Sequence, residues 1–209
     1  MIPNNKDHSA LSERPRSLPR KSLEGGLNGT GKRFGIVVAR FNAFITERLL
    51  QSAFDGLVRS SVAEEAITIV RVPGAFEIPS AARTLAETGK YDALVCLGCL
   101  LRGDTAHYDV IVNEVARGIG QSAQETGVPH AFGVLTCDTL EQAIDRAGLK
   151  MGNKGFEAAL AAVEMANLQA AVSTQRSAIS QKQIPRSTRS DKRKKSSATK
   201  KTVRNASRK

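Results

Sequence analysis

Four short runs of aliphatic and β-branched residues, each followed by a stretch of helical periodicity, constrain this chain more than any other feature. The runs are residues 33–39 (RFGIVVA), 66–72 (AITIVRV), 93–98 (ALVCLG) and 130–135 (HAFGVL). Helical spacing follows at 45–60, 77–88, 108–126 and 140–146, and again at 154–171. Strands alternating with helices predict an α/β domain whose sheet is mainly parallel. A run as uniformly apolar as ALVCLG needs cover on both faces. The expected architecture is therefore a three-layer αβα sandwich around a four-stranded sheet.

Local signals mark the helix ends. Thr46 stands before ERLL, Pro79 falls in a first turn, and Asp109 lies near the head of the third helix. Gly89 and Gly127 stand just past two ends.

Charge separates the domain from its flanks. Residues 1–32 carry six basic and three acidic side chains, 33–173 twelve and sixteen, and 174–209 thirteen and one. A mildly acidic body thus carries a strongly basic extension, and the pI near 10.0 describes the extension rather than the fold. Residues 1–21 are polar, hold three prolines and show no apolar period, so they are expected to be a disordered arm. A transit peptide is the competing reading, against which Asp7, Glu13 and Pro15 stand. Residues 174–209 lack the apolar side chains to offset ordering entropy and are expected to be a disordered tail. The catalytic domain should occupy residues 22–173.

Cys96, Cys99 and Cys137 are an odd set, and no secretory h-region is legible, so a reduced cytoplasmic setting is expected. The longest apolar run, 93–101, is too short to span a bilayer, so no membrane association is expected. Three motifs lose their apparent meaning in context. GLNGTGK at 26–32 has the spacing of a phosphate loop, but Arg33 replaces its Ser or Thr and a strand follows instead of a helix. CLGC at 96–99 has metal spacing with no second pair to complete a site, and packing thiols are the better reading. RGD at 102–104 would need an extracellular, exposed loop.

In a parallel α/β sheet, ligands gather at the carboxyl ends of the strands. Here those ends carry ARFN (40–42 with Ala39), VPGAFE (72–77) and RGDTAHYD (102–109). Phe41 is an aromatic suited to covering a flat ring, and a Pro-Gly turn delivers Phe76 and Glu77 at a helix start. Gly103, Asp104 and Thr105 form a strand-to-helix turn whose amides suit an anion, with His107 two residues beyond. Taken alone, a His at a helix start is more often solvated than catalytic. The fourth strand contributes Phe132, on pattern a core residue. Downstream, Arg146, Lys150 and Lys154 surround a Gly-rich break.

Taken together, GIVVARFN, VPGAFEIP, LGCLLRGDTAHYDVIVNEVARGI, FGVLT, EQAIDRAG and GNKGFEAALAAVEMANL occur in an order that resembles the 6,7-dimethyl-8-ribityllumazine synthases of riboflavin biosynthesis. The similarity spans about residues 23–168. It implies a flavodoxin-like fold and a transferase that condenses 5-amino-6-(D-ribitylamino)uracil with 3,4-dihydroxy-2-butanone 4-phosphate, without metal or organic cofactor. It implies that Phe41 stacks on the pyrimidine and that Ala75, Phe76 and Glu77 hold the ribityl chain. Cys99, Leu100 and Leu101 would line the ring pocket by backbone contacts, and Asp104 and Thr105 would present anion-binding amides. Arg146 would clamp the phosphate and His107 would move protons, while Phe132 and Lys154 would reach in from a neighbouring subunit. Ala106 departs from the Pro of many relatives.

The resemblance also implies a homo-pentamer. The short segment 148–155 is similar to that of members building a sixty-subunit shell, and residues 23–30 resemble their N-terminal strand, which joins a neighbour's sheet. Riboflavin synthase is the cargo such a shell would enclose. The basic tail suggests a polyanion such as RNA as a further partner. A shell-forming scaffold with vestigial catalysis is the competing function, and the intact set Phe41, Glu77, His107, Phe132 and Arg146 favours the enzyme.

Overall fold

The computed structural model describes residues 22–182. The arm expected over 1–21 and the tail beyond 182 lie outside them. Four strands, β1 (Phe34–Ala39), β2 (Ile67–Val72), β3 (Ala93–Leu101) and β4 (His130–Cys137), form one sheet in the order β2-β1-β3-β4. All three pairings are parallel. Helices α1 (Ala43–Arg59), α2 (Ile78–Glu87), α3 (His107–Thr126), α4 (Leu140–Arg146) and α5 (Lys154–Lys182) connect and follow the strands.

The pleat sorts the apolar side chains into two cores. Phe34, Ile36 and Val38 of β1, with Val95 and Leu97 of β3, pack against Leu49 and Leu57 of α1 and Ala159 and Val163 of α5. The intervening Val37, Ala39, Leu94 and Cys96 face the opposite way, onto Ile78 and Ala82 of α2 and Val115 and Ile119 of α3. Most of these side chains are wholly buried, and each large one contributes about 2 kcal/mol relative to exposure. The three-layer expectation is met: α1 and α5 on one face, α2 and α3 on the other. Gly155 lets α5 seat on α1, since a Cβ there would lie 2.1 Å from the Leu49 carbonyl oxygen.

Several boundaries moved for identifiable reasons. β3 runs through Gly98 to Leu101 because Gly98 pairs with Val134 and makes room for Ile78, so this glycine is a close approach and not a stop. α1 begins three residues before Thr46, which is fully buried inside it. Its N-cap is Asn42, held in the left-handed region at φ 58°. α5 continues to Lys182, past the expected end at 171 and the expected tail start at 174, since no Gly or Pro interrupts the chain between Gly155 and Pro185. Gly89 (φ 65°) and Gly127 (φ 70°) close α2 and α3 in left-handed turns, as expected.

Residues 22–32 belong to no strand of this sheet. They run along α5, where Asn167 Nδ2 donates to the carbonyls of Gly26 (2.6 Å) and Asn28 (2.9 Å). The edge strand β2 leaves Thr68, Ile69 and Arg71 exposed. No helix among the described residues is long and apolar enough to cross a membrane.

Candidate active site

The strand order reverses between β1 and β3, since β1 leads to β2 on one side and β2 crosses back to β3 on the other. A crevice opens at the carboxyl ends of strands at such a reversal. A cavity of about 310 Å³ lies there, lined by Phe41, Gly74, Ala75, Phe76, Glu77, Leu100, Leu101, Gly103, Thr105, His107, Tyr108 and Ile111. That volume and its mainly apolar wall suit a small organic ligand held by a few polar groups.

Each wall is fastened to the sheet. The β1–α1 turn is drawn onto the end of β2 by Arg40 N–H to Val72 O (2.8 Å) and Phe41 N–H to Pro73 O (3.0 Å). Asn42 Nδ2 ties the same turn to β3 through the Cys99 carbonyl at 2.8 Å. Phe41 is left 70% exposed with its ring against Gly74, where a Cβ would stand 2.9 Å from Phe41 Cδ2. Only glycine permits this approach of ring to backbone. Glu77 folds back so that Oε2 accepts the Gly74 N–H at 2.8 Å, which fixes the carboxylate at the cavity wall. Phe76, 56% exposed, stands beside it.

The third wall is the link from β3 to α3. Helix α3 begins at His107 with no side-chain cap. The amides of Gly103, Asp104 and Thr105 donate to no acceptor among the described residues. Three unengaged N–H groups at the head of a 20-residue helix make a setting for an anion. His107 is exposed and lines the cavity, with Ile111 one turn on. Burial pushes the Tyr108 phenol above its ordinary value, so at neutral pH it remains a donor.

Eight residues expected at the site thus share one cavity: Phe41, Ala75, Phe76, Glu77, Leu100, Leu101, Thr105 and His107. Cys99 adjoins it with a side chain in the core and its carbonyl taken by Asn42. Burial pushes the Cys99 thiol up to about 12, which leaves it unreactive. Asp104 lies in the turn but not on the wall. Phe132, Arg146 and Lys154 lie elsewhere. Phe132, 38% exposed on β4, lines a second apolar cavity of about 370 Å³ with Pro129, Ala131, Ala161 and Met165. Arg146 and Lys154 meet at the α4–α5 link, where the Glu157 carboxylate holds both at 3.4 and 3.2 Å. Sequence reasoning missed Asn42, Tyr108 and Ile111. The i, i+4 spacing of His107 and Ile111 was the available signal for the last.

Comparison with known proteins accords with this geometry. Residues 31–170 match the family model described as 6,7-dimethyl-8-ribityllumazine synthase. A protein of that name from Desulfotalea psychrophila is 58% identical over 146 residues, which cover 70% of this chain and 94% of the relative.

Proposed function

Because the chain belongs to the 6,7-dimethyl-8-ribityllumazine synthase family, we propose that it is a transferase of riboflavin biosynthesis, joining 5-amino-6-(D-ribitylamino)uracil to 3,4-dihydroxy-2-butanone 4-phosphate. The observation that carries this reading is the convergence of an exposed aromatic, a fixed carboxylate, an amide-rich turn and a histidine on one cavity at the sheet reversal. Phe41 covers the pyrimidine, and Ala75, Phe76 and Glu77 hold the ribityl chain. Leu100 and Leu101 form the floor, with Cys99 behind them. The amides around Asp104 and Thr105 receive the phosphate.

The chemistry asks for protons more than for electrons. Amine attack on the ketone, loss of water to the imine, departure of phosphate, and ring closure of the ribitylamino nitrogen onto the remaining carbonyl with loss of a second water each move a proton. An imidazole ring carries a nitrogen that donates and one that accepts, so it can serve proton transfer in both directions. His107 gives and takes these protons, while the cavity holds two substrates in contact. Replacing His107 by Ala is expected to lower turnover on the order of 10²-fold without abolishing it, because positioning survives. Lumazine absorbance measures this, and an unchanged rate would remove His107 from the mechanism.

Phe132, Arg146 and Lys154 stand away from the cavity of their own chain and serve that of an adjacent copy in a pentamer, Arg146 and Lys154 there meeting the phosphate. The edge of β2, which pairs with no further strand among the described residues, and the strandless segment 22–32 support strand exchange between copies. The short 148–155 link favours a sixty-subunit shell, with riboflavin synthase as cargo, in the cytoplasm. Sedimentation at the mass of a lone pentamer would exclude the shell. The extension from 174 onward carries thirteen basic residues against one acidic and binds RNA electrostatically. RNA binding undiminished after deletion of residues 183–209 would refute that role.

A further inference from the structure

Arg102 has no place in the cavity wall, yet it holds more charged partners than any other residue around it. Its Nε donates to Asp138 Oδ1 at 2.7 Å, and its two Nη atoms donate to the two carboxylate oxygens of Asp109 at 3.2 and 3.1 Å. The guanidinium lies over the Tyr108 ring, 4.3 Å from its centroid. Its backbone N–H bonds the Cys137 carbonyl at 2.9 Å. One side chain thereby joins the end of β3, the first turn of α3 and the connection from β4 to α4.

This placement matters because the other ties on the α3 head among the described residues are few, chiefly the Tyr108 hydroxyl bond to Thr136 and the packing of Ile111 on the core. Among the described residues, the helix has no side-chain cap, its first backbone bond (Val110 N–H to Ala106 O) is long at 3.4 Å, and no atom lies within 4 Å of where a Cβ on Gly103 would be. His107 is the residue immediately before Tyr108 and Asp109, the two α3 residues that Arg102 grips. With both carboxylates already in its fork, Arg102 is not an open anion site.

We propose that Arg102 is a positioning residue: it clasps Tyr108 and Asp109 to Asp138 and so sets the reach of the His107 imidazole into the cavity. The inference rests on His107 being the proton carrier. A bidentate fork stacked on a ring has directions that an ammonium group lacks, so Lys is a poor substitute here. A displacement of about 1 Å at a catalytic group costs up to 10²-fold in rate.

The test is a double-mutant cycle on the intact chain, with each substrate varied in turn at a saturating concentration of the other. Arg102→Ala is expected to lower kcat by about ten- to a hundredfold while each KM stays within about twofold. Arg102→Lys should recover only part of the loss. In a His107→Ala background, Arg102→Ala should cost less than about twofold, because the group it positions is gone. An equal loss in both backgrounds, or unchanged kcat in Arg102→Ala, overturns the proposal. A crystal structure of Arg102→Ala gives a reading independent of catalysis: His107 and Tyr108 displaced from the cavity support the clasp, and an unmoved α3 head overturns it. Failure of the functional reading would look different, since the unmodified protein would then form no lumazine.

Discussion

Asn42 does two things that no other residue type does as well. It accepts a left-handed backbone at φ 58°, and its side chain bonds the Cys99 carbonyl, so the turn carrying Phe41 is pinned to the central strand. Asn42→Ala loses the hydrogen bond and forces a Cβ-bearing residue lacking a local polar side chain into that region, together about 2 kcal/mol. Asn42→Gly loses only the bond and should cost about 1 kcal/mol. Urea unfolding distinguishes the two, and both variants should show a raised KM for the pyrimidine substrate because Phe41 is no longer held. Equal stability of Ala and Gly at this position would remove the backbone part of the account. Phe41, Glu77 and His107 were legible as chemistry at strand ends. Asn42 was quoted in the same motif but not given a role, because its partner is a carbonyl 57 positions away and only the folded sheet brings them together.

At the level of elements, strands and helices could be read from hydrophobic period, and the errors came where a local signal had a tertiary use. Gly98 looked like a strand end and is instead the gap that admits Ile78. Thr46 looked like a cap and is instead buried in the second turn of α1. A similar tertiary use appears where β4 begins. His130 Nε2 lies 2.9 Å from the Ser122 hydroxyl on α3, and burial holds its imidazole below the ordinary value against weaker opposing contacts with the backbone at Pro129 and Val128. In the unfolded chain this ring takes up a proton near pH 6.5, whereas in the fold it does so only at lower pH. Stability contributed by the neutral ring is therefore present above about pH 6.5 and is lost as the pH falls through that range. Urea midpoints between pH 7.5 and 5 should fall, and His130→Gln should flatten that part of the profile. A slope undiminished in the variant would assign the acid sensitivity to other groups.

The whole molecule raises the question of what one chain lacks. Its cavity is lined by Phe41, Glu77 and His107, but its paired cations Arg146 and Lys154 are gathered by Glu157 on another part of the surface. No spacing rule in the sequence distinguishes a residue that serves its own cavity from one that serves a neighbour's; the family resemblance assigned Lys154 to a neighbour's cavity and gave Arg146 a phosphate role without saying whose. If sites are shared between adjacent copies, a chain with His107→Ala still offers a sound Arg146, and a chain with Arg146→Ala still offers a sound His107. Each assembly made from one variant alone should be impaired, the second chiefly through a raised KM for the phosphate substrate. Unfolded together in equal amounts and refolded, the two should co-assemble at random, and about one quarter of the sites would combine an unaltered cavity with an unaltered cation from the next chain. At low concentrations of the phosphate substrate, activity should then rise well above the mean of the two separate preparations. Activity equal to that mean would place the whole site within a single chain and require Arg146 to swing away from Glu157 into its own cavity.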